Sequence, residues 1–300
     1  MIKIAWDPIY AHPLPEGHRF PMLKYELIPG QLLHEGTINQ NNLFAPEPVD
    51  ERNILSTHDA GYWAQLKNLT LPAKEQRRIG FPLTSELVER ELRITQGTID
   101  GTRYAMRHGI AFNVAGGTHH AGSNWGEGFC LLNDQAIAAN FLLNNKLAKS
   151  ILIIDLDVHQ GNGTAEIFRS QSQVFTFSMH GDKNFPFRKE ISDMDVPLDD
   201  FTEDTVYLDL LAYHLKSAFE RSKPDFVFYL AGVDVLATDK LGKLSLSKTA
   251  CKERDRMVLQ NCKSMGLPVQ VSMGGGYSTD IKDIVDAHCN TYRLAFDLFT

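Results

Sequence analysis

The chain has 300 residues, a length that fits one large α/β domain and leaves two smaller domains open. Its composition, 43% hydrophobic and 22% charged, allows a sizeable core and excludes wholesale disorder. The net charge of −7, with no basic run longer than Arg77-Arg78, argues against nucleic acid as a direct partner. A mildly acidic surface is compatible with cationic substrates, although solubility alone explains such a charge.

Short apolar runs and longer segments of helical periodicity alternate along the chain. The runs predict buried strands at residues 2–6, 110–114, 150–154, 174–177, 226–230 and 269–273. The periodic segments predict helices at residues 84–108, 131–145, 202–222 and 247–265, the third capped by Thr202 and the last ended by Gly266. The Pro- and Asn-containing segment 13–52 predicts irregular structure with one short helix. We therefore expect one domain over residues 1–300, with a mostly parallel central sheet and helices on both faces.

Polar residues follow five of the predicted strands. Open α/β sheets bind ligands in the crevice beyond the carboxyl ends of their strands, so these polar endings predict one site at one edge of the sheet. The endings lie at residues 116–120, 155–159, 178–180, 231–234 and 274–277.

The spacing of Asp155, Asp157 and His159 places all three side chains on one side of an extended chain. With Asp234 from another strand they offer carboxylates and an imidazole with coordination positions left open, which is typical of a catalytic rather than a structural metal site. Helix capping or solvation of the sheet edge also explains acids at the end of a strand, so the spacing alone leaves both interpretations open.

Two adjacent histidines, His119 and His120, follow a Gly-Gly turn on the same edge. Imidazoles take and return protons near neutral pH, which hydrolysis of an amide by metal-bound water requires. A lone histidine is more often a core residue, but a pair beside a metal set favours catalysis.

The four cysteines lack C-x-x-C spacing, which predicts free thiols in a reducing compartment. The N-terminus reads as a strand rather than a signal peptide, and no stretch approaches the ~18 apolar residues of a membrane span. We expect a stand-alone cytoplasmic protein without a membrane partner, and the oligomeric state is left open.

Five motifs in order resemble those of histone deacetylases: GGTHHA at 116–121, GFCLLND at 128–134, IDLDVHQGNG at 154–163, AGVD at 231–234 and GGGY at 274–277. The segment HRFPMLKY at 18–25 resembles class IV and related bacterial members. The resemblance implies the arginase/deacetylase fold and a zinc-dependent hydrolase of an acyl amide, such as acylated lysine.

The resemblance also implies bound cations. The catalytic metal would be held by Asp157, His159 and Asp234, with Zn²⁺ as the first choice and Fe²⁺ as the alternative. A structural K⁺ would be bound by Asp155, Asp157, His159, Ser178 and the carbonyl of Met179, with a second alkali site near Phe168 and Val174.

By the same resemblance, His120 is the general base and then the general acid, and His119 supports it electrostatically with Asp155 as partner. Tyr277 stabilises the oxyanion together with the metal. Asn162 replaces the aspartate that class I relatives have behind the second histidine, which implies a lower pKa for His120.

The resemblance predicts a substrate tunnel as well. Phe129 and Phe185 would sandwich the acyl-lysine methylenes, Gly128 would let the chain pass close, and Leu241 would lie at the rim. For Arg19 two interpretations stay open, a place beside the internal cavity where the released acid collects and an ordinary surface position. Class I enzymes grip the substrate backbone with an acidic loop residue. The sequence shows no obvious counterpart of it, although residues 58–59 lie in about the right region.

Other functions compete with lysine deacylation. The same site would suit an acetylated polyamine, another small amide, or lysine that carries a long fatty-acyl chain. A dinuclear arginase-like hydrolase is disfavoured because Gln160 and Asn162 occupy the positions of the additional ligands. A non-catalytic binder of acyl-lysine is disfavoured because every catalytic group is present.

Overall fold

Eight parallel strands form one central sheet in the computed structural model, which describes all residues 1–300. The strands are β1 (Lys3–Ala5), β2 (Leu43–Phe44), β3 (Ile110–Asn113), β4 (Ile151–Asp155), β5 (Val174–Gly181), β6 (Met194–Leu198), β7 (Phe226–Leu230) and β8 (Val269–Ser272). Their order across the sheet is β2-β1-β3-β8-β7-β4-β5-β6, and every neighbouring pair is parallel. The predicted parallel α/β fold is confirmed.

Ten α-helices connect and cover the strands. They are α1 (Lys24–His34), α2 (Glu51–Leu55), α3 (Ala60–Lys67), α4 (Ala73–Ile79), α5 (Ser85–His108), α6 (Asp134–Asn144), α7 (Asn162–Phe168), α8 (Asp204–Ser222), α9 (Lys248–Met265) and α10 (Ile281–Phe299). Helix α5 packs on β1, β3 and β8 and contacts α6. Helix α8 packs on β4 and β5 and contacts α9, and α9 contacts α10. Helices thus cover both faces of the sheet.

The central strands are buried along their whole length, as strands covered by helices on both faces must be. Every residue of β4 and β7 is buried, and their sequences, ILIID and FVFYL, are almost entirely apolar. One contiguous core of 80 buried apolar residues runs through the molecule, which identifies a single domain. No helix is long and apolar enough to cross a membrane, and all four cysteines are free and buried.

The two strands absent from the sequence prediction are the edge strands. Strand β2 has only two residues, and β6 alternates between buried and half-exposed or exposed positions with Pro197 inside it. Proline is tolerated in edge strands because no ladder hydrogen bond is needed on the open side. Short, interrupted strands of this kind give no continuous apolar run.

The predicted helix starting at Thr202 begins later than expected. Glu203 is the N-cap residue of α8, without a side-chain capping bond, and the Thr202 hydroxyl instead donates to the carbonyl of Asp199. Gly266 does end α9 in the left-handed conformation, as predicted.

The segment 13–52 is more ordered than predicted. It contains the 11-residue helix α1, which holds Pro29 in its interior. Burial of Tyr25, Ile28 and Leu32 on one face offsets the hydrogen bond that the proline removes.

Candidate active site

The site lies where the carboxyl ends of neighbouring strands meet. The loops after β4 and β7 carry the predicted metal ligands, and these strands pair with each other over five residue positions, from Ile151↔Phe226 to Asp155↔Leu230. Strand β8, which precedes the GGGY segment, pairs with β7, and β3, which precedes the histidine pair, pairs with β8. Strand order alone therefore brings four of the predicted polar endings together.

Asp157, His159 and Asp234 form a buried cluster whose ligand atoms all lie within 4.8 Å of one another. His159 Nδ1 lies 3.0 Å from Asp157 Oδ1 and 3.2 Å from Asp234 Oδ2. Asp234 is completely buried, and its Oδ2 atom accepts no well-aligned hydrogen bond. The cluster thus offers two carboxylates and one imidazole, and one carboxylate oxygen lacks a hydrogen bond. This is a donor set typical of a catalytic divalent cation.

The electrostatics of the cluster also fit a cation. Burial and the charge of Asp157 raise the pKa of Asp234 to about 7. Burial opposes the charged form of His159, but its close contacts with the carboxylates of Asp157 and Asp234 outweigh it and raise the pKa of His159 to about 10. The carboxylates thus hold a proton on the imidazole, and a bound metal ion would replace that positive charge.

Further contacts fix the orientation of the ligands. Asp157 Oδ2 accepts from the Gly275 amide at 2.8 Å, and Asp234 Oδ1 accepts from the Val158 amide at 3.0 Å. The fully buried guanidinium of Arg254 donates to the carbonyls of Leu156 and Gly232, next to the ligand loops. Such supporting contacts hold ligands in one geometry before the metal binds.

The two histidines use the same ring nitrogen for different partners. His119 Nδ1 donates to Asp155 Oδ2 at 2.7 Å, and His120 Nδ1 lies 2.7 Å from the side-chain oxygen of Asn162. Their ring centroids are 4.1 Å apart. In both rings Nε2 is left free of a protein hydrogen bond.

Their pKa values are shifted in opposite directions. Burial opposes the charged form of His119, but the negative charges of Asp155 and Asp157 outweigh it and raise its pKa. Burial, followed by the neighbouring imidazoles of His119 and His159, lowers the pKa of His120 well below its usual value. These shifts favour the neutral, proton-accepting form of His120 and the charged form of His119.

A chain of hydrogen bonds continues behind His120. Asn162 Nδ2 donates to Glu127 Oε1 at 2.5 Å, and Arg78 Nε donates to Glu127 Oε2 at 2.5 Å. A carboxylate that only accepts leaves the amide group of Asn162 one orientation, with its oxygen towards His120. Glu127 thereby selects the tautomer of His120 that has Nδ1 protonated and Nε2 free.

Tyr277 faces the cluster from the end of the GGGY segment. Its ring centroid lies 6.4 Å from that of His159, and its amide donates to Asp239 Oδ2 at 2.6 Å. Burial and the charges of Asp234 and Asp157 raise the pKa of Tyr277 well above its usual value. The phenol therefore keeps its proton and can donate a hydrogen bond.

The predicted tunnel residues line an outer pocket of about 410 Å³ that leads to His120, His159 and Tyr277. All four of them, Gly128, Phe129, Phe185 and Leu241, border this pocket. The Phe185 ring stands edge-on to His120, with centroids 5.0 Å apart. Gly128 has φ +56°, and a Cβ at this position would lie 2.6 Å from His120 Cδ2, so only glycine fits.

An inner cavity of about 40 Å³ borders His120, Asp157 and His159, and it shares Phe129 and Tyr277 with the outer pocket. Arg19 does not border this cavity; of its two alternatives the structure shows the exposed one, at the outer pocket over the Phe129 ring. The arginine of the inner cavity is Arg90, which is buried and paired with Glu91. Nearby, the buried Lys24 donates to the Gly274 carbonyl at 2.9 Å, and burial lowers its pKa to about 8.

The predicted potassium ligands lie on neighbouring strands. Asp155 and Ser178 are directly paired across β4 and β5, and Met179 is buried next in the chain. The Ser178 hydroxyl lies 2.9 Å from His180 Nδ1. At the second predicted alkali site, the carbonyl of Phe168 accepts from Gln171 and the amide of Val174 donates to the same residue. Occupancy of both sites stays a prediction.

Residues 58–59 serve the fold rather than the rim. His58 Nδ1 contacts the Gly122 carbonyl at 2.9 Å, and its Nε2 accepts from the Asn133 amide. Asp59 caps helix α3 by accepting from Gly61 and Tyr62. Neither borders the outer pocket, so neither supplies the acidic grip known from class I enzymes.

Four charged residues of the site were missed by sequence reasoning: Arg78, Glu127, Arg90 and Arg254. Only Glu127 had a recognisable signal, because a charged residue between Gly126 and Gly128 in an otherwise apolar segment is unusual.

Comparison with known proteins identifies the family of the chain. Residues 18–292 match the family model described as the histone deacetylase domain. The chain is 45% identical to an uncharacterised protein of Picosynechococcus sp. over 99% of both chains. It is also 27% identical to histone deacetylase 2 of Arabidopsis thaliana, over 87% of this chain and 70% of that protein.

Solved structures give the same result. A histone deacetylase homologue complexed with SAHA matches with a TM-score of 0.84 and 25% identity, over 98% of this chain and 84% of the other. The homologue from Aquifex aeolicus has the same fold, with a TM-score of 0.83 and 24% identity, over 98% and 84% of the two chains. The chain therefore belongs to the histone deacetylase family and is a hydrolase of its amidohydrolase type.

Proposed function

We propose that the protein is a zinc-dependent deacylase that removes a short acyl group from the side chain of lysine. The observation that carries the proposal is the position of His120, whose Nδ1 is held by Asn162 and whose ring lies 5.8 Å from that of His159 in the buried metal cluster, at the inner end of a pocket bordered by Phe129 and Phe185. An apolar slot that ends at a metal suits an amide on a long aliphatic stem. The whole chain, residues 1–300, would act as one catalytic domain.

Zinc bound by Asp157, His159 and Asp234 would polarise the acyl carbonyl and make a water molecule more acidic. His120 Nε2 accepts the proton of the attacking water while the water oxygen bonds to the acyl carbon. The same imidazole then returns the proton to the amine as the carbon–nitrogen bond breaks. Fe²⁺ is the alternative metal, since this donor set accepts both.

Two further groups act on charge. The protonated Tyr277 hydroxyl donates to the carbonyl oxygen as that oxygen becomes negative. Asp155 favours the charged form of His119, which would stabilise negative charge in the same region without moving a proton. Because burial lowers the pKa of His120 well below its usual value, the neutral form that accepts the proton is favoured at neutral pH.

The inner cavity supports a short acyl group. Its volume of about 40 Å³ compares with the ~10–15 Å³ needed for one water molecule, so it accommodates only a few atoms beyond the metal cluster. A long fatty-acyl chain would need many times that volume. Acetyl is therefore favoured over myristoyl.

The test is hydrolysis of lysine peptides that carry acetyl, propionyl, octanoyl or myristoyl groups, by native protein and by His120→Ala with zinc supplied. We expect turnover that falls steeply with chain length and that His120→Ala lowers by about 10²–10⁴-fold. Preference for myristoyl would refute the short-chain assignment. A small acylated amine is the second candidate, and the absence of turnover on every peptide would favour it.

A further inference from the structure

The mouth of the outer pocket is cationic although the chain as a whole is acidic. Five basic side chains border the pocket and no aspartate or glutamate does. They come from four separate parts of the chain and are Arg19, Arg77, Arg78, Lys183 and Lys243. The chain carries a net charge of −7, so the charge around this pocket is opposite in sign to the charge of the whole chain.

Most of this charge is not neutralised by the protein. Arg19, Arg77 and Lys183 form no ion pair within 4.0 Å. Lys243 lies 3.9 Å from Asp200, at the limit of a contact, and only Arg78 has a close partner in Glu127. All five side chains are exposed.

Only Arg78 among these cations serves the catalytic groups, through its bond to Glu127. None of them hydrogen-bonds to the metal cluster or to His119 or His120. Arg19 lies with its guanidinium 5.1 Å from the centre of the Phe129 ring, which sets a positive charge at the entrance of the tunnel. Charges lining a concave surface focus their field on whatever enters it, attracting anions and repelling cations.

We propose that the substrate is an acyl-lysine flanked by acidic residues, whose carboxylates contact the cationic mouth while the acylated side chain enters the tunnel. The proposal rests on the deacylase function proposed above and adds its substrate class. Acylated polyamines and lysine-rich segments are disfavoured, because their remaining amines would lie against Arg19, Arg77 and Lys183.

An exposed aromatic residue at the mouth favours a peptide over a small amine. Phe187 is 90% exposed, borders the outer pocket and stands edge-on to Phe185, with ring centroids 6.4 Å apart. A large apolar side chain in this position gains from being covered. A peptide that continues on both sides of the acyl-lysine can cover it, whereas a small amine confined to the tunnel does not.

The test uses the zinc-loaded full chain and three peptides of equal length with a central acetyl-lysine flanked by Glu, Gln or Lys. We expect kcat/KM to fall in the order Glu, Gln, Lys, mainly through KM. The difference should shrink between 50 and 500 mM salt, since the screening length drops from about 14 to about 4 Å. Arg19→Gln, Arg77→Gln and Lys183→Gln should each reduce the Glu-to-Lys ratio about two- to fivefold.

The matched control is Lys149→Gln. Lys149 is also exposed and without an ion pair, but it precedes β4 and therefore lies at the amino ends of the strands, opposite the site. This variant should leave the ratio unchanged. A ratio that Arg77→Gln and Lys149→Gln alter equally would overturn the proposal.

Two further arms separate the remaining outcomes. Nα-blocked Nε-acetyl-lysine, with its carboxylate free or amidated, tests whether the substrate is a small anionic molecule that carries an acylated amine. Faster hydrolysis of its free acid than of the Glu peptide would overturn the peptide assignment. Equal rates on the Glu, Gln and Lys peptides would refute the cationic-mouth proposal and leave the deacylase intact. No turnover on any of these substrates would refute the deacylase itself.

Discussion

Replacement of Glu127 by glutamine should reverse the hydrogen-bond chain behind His120. Arg78 only donates, so it will hold the oxygen of the introduced amide and turn the amide nitrogen towards Asn162. Asn162 must then accept from that nitrogen and present its own NH₂ group to His120 Nδ1. The imidazole would carry its proton on Nε2 and lose the lone pair that accepts a proton from water.

The magnitude follows from the cost of keeping the productive arrangement. In Glu127→Gln the productive tautomer leaves two buried donors facing each other, which costs about 1–3 kcal/mol. At about 1.4 kcal/mol for each factor of ten, the productive fraction falls about 5- to 150-fold. We expect kcat to fall by this factor with KM nearly unchanged, since Glu127 does not border either pocket.

The assay is steady-state hydrolysis of an acetyl-lysine peptide together with ¹⁵N NMR of the histidine ring nitrogens. The double variant Arg78→Ala with Glu127→Gln should regain at least about fivefold in kcat over Glu127→Gln, because the oxygen of the introduced amide is then free to face Asn162. Glu190→Gln, which alters another carboxylate paired with an arginine, is the control. A Glu127→Gln enzyme with native kcat and a protonated Nδ1 in His120 would show that the reasoning is wrong.

Three other predictions concern the same site. Asn162→Asp places a negative charge behind His120 and raises the pKa of His120. Because the neutral imidazole is the active form, the acidic limb of the kcat/KM–pH profile should move to higher pH. An unmoved limb would contradict the assignment of the base. Gly128→Ala should lower kcat at least about tenfold, since its Cβ would press on the His120 ring, whereas Gly30→Ala, in open space, should retain native kcat. Arg254→Met should lower the free energy of unfolding by about 3–5 kcal/mol in urea titrations, because it leaves Asp255 buried without its cation; a loss under about 1 kcal/mol would argue against this role.

The fold could be predicted wherever burial is continuous along the chain. Strands such as β7 and β4 are apolar over their full length, and their positions were predicted to within one residue. Strands β2 and β6 lie at the sheet edges, where half of the side chains face outward and the pattern is lost. Helix α1 was underestimated because Pro29 is unfavourable locally and the compensating contacts of Tyr25 and Leu32 come from distant segments.

The site divides in a similar way. The metal cluster and the histidine pair lie in short contiguous motifs at the ends of strands, so parallel topology alone implied that they meet. Arg78 and Arg90 lie outside those motifs and acquire their positions only through tertiary contacts. The sequence left Arg19 open between the inner cavity and the surface; its neighbour Phe20 borders the inner cavity, and Arg19 itself is exposed at the mouth.

The cationic mouth of the outer pocket could not be predicted from the sequence for another reason. Its charges are contributed by residues 19, 77, 78, 183 and 243, which no local pattern connects. Net charge averages over the whole surface and has the opposite sign, so it gave no indication of a cationic opening. Only the folded arrangement brings these side chains around one opening.

The most direct test of the account is a zinc titration of metal-free protein, followed by turnover of an acetyl-lysine peptide. We predict that activity rises from zero and saturates at one zinc per chain, and that Asp234→Ala abolishes both high-affinity binding and turnover. Turnover that persists without metal, or native affinity for zinc in Asp234→Ala, would contradict the assignment of this cluster as the catalytic centre.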